Sequence, residues 1–252
     1  MNRDAGPVQV LEGIHPVLEA LRARRRRLVR LRLRAGIGPA DEAALREAAR
    51  QAGVRVEALE PTADASSGPG RRVALEAGPL PELGLGDLLA AGGPPRTLIV
   101  LDGVEDPQNL GAIVRVAEAS GAAGLVLTRR RAPPLSPAVS RASAGAIEWL
   151  PVARVPNLPR ALNALKQKGF WVFGCDPEAG EPLFGLPDRI VRGDRAVVFG
   201  AEGRGLGRAV GQAVDHRVRI PMAGRVASLN VSAAAAVVLF ELARRGRVAD
   251  SS

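Results

Sequence analysis

Residues 97–103 read TLIVLDG, and the apolar run shows no alternation of polar and apolar positions. A strand of that pattern is covered on both faces, which places it inside a parallel sheet packed between helices. The pattern recurs in GLVL at 124–127 and AVVF at 196–199, while 170–175 and 217–221 read as further strands. Helical stretches lie between them, and a last helix is expected over 231–245. This part of the chain is therefore read as α/β. In open sheets of that class ligands bind at the carboxyl ends of the strands. Three strand-end loops gather the polar groups: DGVEDPQNLGAIVR after TLIVL, GAEGRGL after AVVF, and MAGRVASLN after VRIP.

The earlier part of the chain alternates helix and strand. In HPVLEALRARR, from His15, Val17, Leu18 and Leu21 recur at helical spacing. In RLVRLRLR, Val29, Leu31 and Leu33 alternate with Arg30, Arg32 and Arg34. One face of that strand is buried and the other carries a guanidinium row that meets either RNA or water. A second helix is expected over 41–52 and a second strand in VRVEAL from Val54. The stretches 61–70, PTADASSGPG, and 84–95, with its Gly-Gly-Pro-Pro, carry turn and linker chemistry. The expected division is a small domain over 1–80, a linker over 81–96 and a second domain over 97–252.

Composition narrows the chemistry. The formal net charge of +9 suits a polyanionic partner, because each arginine placed on a phosphate releases a condensed counterion. Almost all of that charge is arginine, Lys166 and Lys168 being the lysines, and a GC-rich genome would write the same bias. With no tyrosine and 3% aromatic residues, a base-stacking platform is disfavoured, so recognition is expected to rest on arginine, backbone and shape. Two histidines, His15 and His216, and the single Cys175 cannot make a structural zinc site or an internal disulfide. No metal is expected. Cys175 reads as a buried strand residue rather than a nucleophile. The opening MNRDAGPVQVLEG lacks the features of a leader, and the run 231–242 is too short to span a bilayer, so a cytoplasmic protein without membrane association is expected.

Known nucleotide fingerprints fail on the glycine-rich loop at 200–207. A dinucleotide pattern begun at Gly203 needs glycine where Arg208 stands, and a phosphate-binding loop needs a lysine that is absent. Taken together, however, DGVEDPQNLGAIVRVAEASG, VVFGAEGRGL and RIPMAGRVASLNVSAAAAVVLFE resemble the three motifs of the SpoU family of RNA ribose 2'-O-methyltransferases, in the same order and at about the same spacing. The segment ASAGAIEWLPVARV, from Ala142, resembles the stretch between the first two motifs. The opening VLEGIHPVLEALRAR is similar to the subgroup with a small substrate-binding domain of ribosomal-protein L30e type, which includes enzymes acting on a guanosine of large-subunit ribosomal RNA.

The resemblance implies a parallel-sheet domain with a trefoil knot, preceded by the L30e-like domain, S-adenosylmethionine bound within the knot, and a homodimer that completes the site. By motif position, Gly200, Ile220 and Leu229 line the cofactor pocket, and Asn109, Arg115, Glu202, Ser228 and Asn230 are the candidate catalytic residues. Arg115 matches the arginine to which the family's mechanism assigns the role of base. A guanidinium has a pKa above about 12 and no acceptor, so it is read here as anchoring the neighbouring phosphate and the developing alkoxide. Its plain alternative is an ion pair with Asp102 or Asp106. Asn109 is also placed to cap the helix that carries Arg115, and Ser228 and Asn230 to cap the last helix. Glu202 orients Arg115 or Asn230, or is simply solvated. Arg129, Arg130 and Arg131 follow a strand end and meet either RNA backbone or water. The expected substrate is structured RNA, most of all a 23S rRNA guanosine. A transfer-RNA guanosine, an rRNA adenosine and a catalytically silent RNA-binding factor remain as alternatives.

Overall fold

The computed structural model describes residues 6–59 and 72–247. The chain divides into two compact units, Met1–Pro81 with Pro134–Trp149, and Glu82–Pro133 with Leu150–Ser252. The expected linker at 61–70 lies outside the described residues.

The first unit runs β1 (Gln9–Glu12), α1 (Ile14–Ala23), β2 (Leu28–Leu33), α2 (Pro39–Gln51), β3 (Arg55–Ala58) and β4 (Val73–Ala77). Its mixed sheet has the order β1-β4-β2-β3, with β4 antiparallel to β1 and β2, and β2 parallel to β3. Pro39 at the start of α2, followed by Asp41 and Glu42 in its first turn, suits the positive end of a helix dipole. Leu11, Leu31, Leu75, Val17, Leu21 and Leu45 are fully buried between the sheet and these helices. The alternation expected of β2 holds at Leu31 and Leu33 but fails at Val29, which is 40% exposed. A bulge between Leu28 and Arg30 shifts the register, so Leu28 packs on the core in its place. The guanidinium row on β2 is neutralised in part: Glu76 pairs with Arg30 at 2.8 Å and also with Arg32.

The second unit opens with α3 (Leu85–Ala90), β5 (Thr97–Asp102), α4 (Pro107–Ala119) and β6 (Gly124–Thr128). Here the linker expected over 81–96 is corrected, because α3 occupies its middle and Leu88 is buried in the unit's core. Gly84 and Asp87 close the helix start, Asp87 accepting from the Gly84 N–H at 3.3 Å, and glycine and proline on either side disguise the helix as loop.

After Pro133 the chain joins the first unit, forms α5 (Pro137–Ala142) and a 3-10 turn (Ala146–Glu148), and leaves it after Trp149. Chain order had put 134–149 in the second domain. What holds it in the first is a buried ion pair: Glu148 receives Arg26 Nη2 at 2.7 Å and Nε at 3.0 Å, with both side chains at most 1% exposed. Ser140 donates to the same carboxylate at 3.3 Å. Close approach to α1 demands glycine at 145, since a Cβ there would lie 2.8 Å from the Glu19 Cβ and φ is +88°.

The second unit then resumes with β7 (Val152–Val155), α6 (Leu158–Gln167), β8 (Trp171–Cys175), β9 (Glu181–Pro182), α7 (Asp188–Val191), β10 (Arg195–Gly200), α8 (Arg208–Ala213), β11 (His216–Arg219) and α9 (Val231–Arg247). The seven strands have the order β7-β6-β5-β10-β8-β11-β9, and every pair is parallel. The fold class is α/β, as the unalternated runs require: β5, β6 and β10 are buried along nearly their whole length. Helix α6 shows the matching pattern, with Leu158, Ala161, Leu162 and Leu165 buried on one stripe. Among the described residues no helix is long and apolar enough to cross a membrane, and no cluster of metal-ligating side chains occurs.

Candidate active site

The loops leaving β5, β10 and β11 open on the carboxyl edge of the large sheet. Parallel pairing sets Gly200, at the end of β10, level with Asp102 at the end of β5. Asp102 is 8% exposed and accepts the Gly207 N–H at 2.7 Å, pinning the far end of the glycine-rich loop to the neighbouring strand. Within the loop the Gly205 N–H donates to the Ala201 carbonyl at 2.9 Å. Gly200 lies so close to this turn that a Cβ would stand 2.2 Å from the Gly205 carbonyl, so no side chain fits.

Asp106, not Asn109, caps α4: its carboxylate accepts from the Gln108 N–H at 3.0 Å, and Pro107 follows at the first helical position. Asn109 is thereby left free in the first turn. Its amide nitrogen donates to Glu202 Oε1 at 3.2 Å. Asn230 Nδ2 donates to the same oxygen at 2.6 Å and to Asn109 Oδ1 at 3.1 Å. The other side of Asn230 caps α9, its Oδ1 accepting from the Ser232 N–H at 2.9 Å and from the Ser232 hydroxyl at 2.6 Å. Three strand-end loops, far apart in sequence, thus close into one hydrogen-bonded triangle. Asn230 thus caps α9 with its oxygen and joins the triangle with its nitrogen.

Beside the triangle lies a cavity whose wall includes Gly200, Glu202, Ile220, Ser228 and Leu229. Its floor is apolar, with Leu183, Phe199, Val218 and Val238. The glycine-rich loop and the exposed stretch 221–230 both contribute to its lining. Such a lining fits a flat heterocycle with polar edges, which apolar walls sandwich and main-chain N–H and C=O groups read. Cys175 also lines the cavity, but desolvation, with Asp176 adjacent, raises its thiol pKa, so it is a neutral wall.

Arg115 stands apart. Six residues beyond Asn109 it is rotated by about 240° around α4. It is exposed and has no side-chain partner among the described residues. Asp102 and Asp106 are engaged with backbone N–H groups instead. Sequence reasoning missed Asp102 as the anchor of the glycine-rich loop, although it ends the apolar run of β5. It also missed Asp176, which follows β8 into the cavity wall. The strand-end rule, applied to β8 as well, would have found it.

The SpoU rRNA Methylase family model matches residues 96–240, more than half of the chain. The chain belongs to the SpoU family. Among relatives of known name, the 23S rRNA (guanosine-2'-O-)-methyltransferase RlmB of Pseudomonas syringae pv. tomato is 44% identical over 161 residues, covering 64% of this chain and 63% of that one. This chain therefore spans somewhat less than two thirds of that relative. Two solved structures extend the likeness over nearly the whole chain. The SpoU methyltransferase AviRb of Streptomyces viridochromogenes, in complex with AdoMet, has a TM-score of 0.80 at 24% identity, covering 98% of this chain and 95% of its own. An AdoMet-bound rRNA methyltransferase of Sinorhizobium meliloti has a TM-score of 0.75 at 25% identity, with 94% and 87% covered. Both units thus lie within folds known from SpoU proteins.

Proposed function

We propose that this chain methylates the ribose 2'-hydroxyl of a guanosine in 23S rRNA, with S-adenosylmethionine as methyl donor. The observation that carries the reading is the closing of Asn109, Glu202 and Asn230 into one triangle at the rim of the glycine-lined cavity. S-adenosylmethionine, when bound, supplies an electrophilic methyl group on a sulfonium. Gly200, Ile220, Ser228 and Leu229, which line the cavity, would hold it, the glycine leaving room for close approach and the two aliphatic side chains offering apolar contact. Glu202 and the two asparagines fix the rim on which the ribose is oriented, and orientation is the larger part of the task in an in-line transfer. Arg115, always charged, anchors the phosphate next to that ribose and stabilises the developing alkoxide, while a phosphate oxygen or water takes the proton. The named relative supports the rRNA guanosine, and the AdoMet-bound neighbours support the donor. The first unit is read as the RNA-recognition domain, the second as knotted, and the protein as cytoplasmic.

The protein is incubated with labelled S-adenosylmethionine and total RNA from a strain lacking the gene, and the modified ribose is mapped. Label at a single 23S rRNA guanosine is expected. Label in transfer RNA or on an adenosine would move the target, and cofactor binding without label in any RNA would end the enzymatic reading.

A homodimer belongs to the same proposal. The separation of Arg115 from the triangle supports it, as do apolar side chains left in solvent beside the cavity, with Val226 69% exposed, and Phe240 on α9, 51% exposed. A second copy brings to the site what the single chain holds apart. Inactive Arg115→Ala and Glu202→Ala chains, co-expressed, are expected to recover about a quarter of wild-type activity, because a mixed dimer holds one intact site. No recovery would confine each site to one chain.

A further inference from the structure

Arg129, Arg130 and Arg131 follow β6 directly, all exposed, and none has a side-chain partner among the described residues. Three like charges on one turn repel one another and would spread a loose loop. This loop is tied down. The Arg129 N–H continues the sheet by donating to the Val155 carbonyl at 3.0 Å, and the Thr128 hydroxyl donates to the Arg130 carbonyl. From below, the Arg154 side chain, 11% exposed, spans both ends of the loop. It donates from Nη1 to the Thr128 carbonyl at 3.0 Å and from Nη2 to the Pro133 carbonyl at 2.7 Å, while Glu82 holds its Nε at 2.8 Å. Arg131 has φ +57°, a left-handed conformation that few side-chain-bearing residues adopt.

Many of the chain's other arginines are spent internally. Arg30, Arg46, Arg50, Arg96, Arg192 and Arg244 each face a carboxylate. The 129–131 loop is a place where fixed backbone and unneutralised charge coincide. It also sits on the working edge of the sheet: β6 pairs in parallel with β5, Leu127 opposite Leu101. The loop therefore starts one strand spacing, about 4.8 Å, from the strand whose own loop leads to Asn109.

We propose that Arg129–Arg131 form a preorganised clamp for the phosphodiester backbone of RNA beside the ribose being modified, with Arg154 as the positioning residue that holds the clamp in shape. The proposal rests on the RNA-methyltransferase reading and adds to it where the RNA strand is gripped. Backbone contacts set register without reading sequence, so their signature is electrostatic.

Binding of a fluorescein-labelled RNA hairpin is followed by anisotropy across a salt series, without cofactor. For Arg129→Ala/Arg130→Ala/Arg131→Ala the slope of log affinity against log salt is expected to be shallower than wild type by about 2, three phosphate contacts each contributing roughly 0.7–0.9. Arg192→Ala/Arg244→Ala, which removes ion-paired arginines, keeps the wild-type slope. Arg154→Met reduces the slope in the same direction, and adding it to the triple variant changes nothing more. The triple variant alters only exposed side chains, so it stays interpretable if Arg154→Met fails to fold. An unchanged slope in the triple variant overturns the clamp, and so does an equal loss in the control. Because binding is read without methyl transfer, a wild-type protein that binds with the expected slope yet never methylates RNA sinks the enzymatic reading alone.

Discussion

Glu202→Ala is expected to lower kcat for RNA methylation by about 100-fold, the scale of loss that follows when reacting groups are misplaced by about an ångström. One oxygen of Glu202 accepts from both asparagines, at 3.2 and 2.6 Å, and is the point where the loops after β5, β10 and β11 meet. Without it Asn109 keeps a single bond, to Asn230, and the glycine-rich loop loses its tie to both asparagines while keeping the Gly207–Asp102 bond. Asn230 itself stays oriented through its cap on α9. Glu202→Gln retains an oxygen for the two amide groups, so it is expected to keep at least ten times the activity of the alanine variant, by the same positional argument. Turnover measured at saturating donor and RNA decides. Wild-type turnover in Glu202→Ala removes the residue from the site, and a glutamine variant as weak as alanine shifts its role from position to charge.

Glu148→Ala is expected to destabilise the first unit by about 3–5 kcal/mol, because it leaves the Arg26 guanidinium buried without its counter-charge. Desolvation lifts the Glu148 pKa above the usual carboxylate range, against the opposing pull of Arg26 and Ser140, so burial already takes back much of what the pair gains. It follows that Arg26→Met/Glu148→Leu, which removes both charges and keeps volume, recovers most of the loss. The two tryptophans separate the readouts, Trp149 lying in the first unit and Trp171 in the second. Denaturant unfolding in a Trp171→Phe background therefore follows the first unit by fluorescence. A midpoint unmoved by Glu148→Ala, or a double variant no better than the single, would contradict this account.

What could be read from the amino-acid order follows from the range of the forces involved. Burial on both faces leaves a local trace, so β5, β6 and β10 are visible as unbroken apolar runs. β1 is four residues with polar ends and β9 only two, and neither carries a period. Helix α3 is hidden by its glycine and proline flanks, and the bulge in β2 exchanges Val29 for Leu28 without any mark in composition. The cap of α4 is assigned to Asn109 in the sequence reading, although Pro107 at the first helical position makes Asp106 the residue before it and leaves Asn109 for other work. The meeting of Asn109, Glu202 and Asn230 was not legible from spacing, since 93 and 28 residues separate the hydrogen-bonded partners. Only the likeness of the whole set of motifs to the SpoU pattern announced it. The capture of 134–149 by the first unit depends on a carboxylate finding an arginine 122 residues earlier, a pairing that no local pattern encodes.

Because the first unit borrows 134–149 from the far side of β6, the polypeptide passes between the units at 81/82, 133/134 and 149/150 rather than once. A gene cut after codon 81 would not release a self-sufficient module, for the excised piece would lack its own counter-ion for Arg26. Moving the first unit into another protein therefore means transplanting two separate coding segments together.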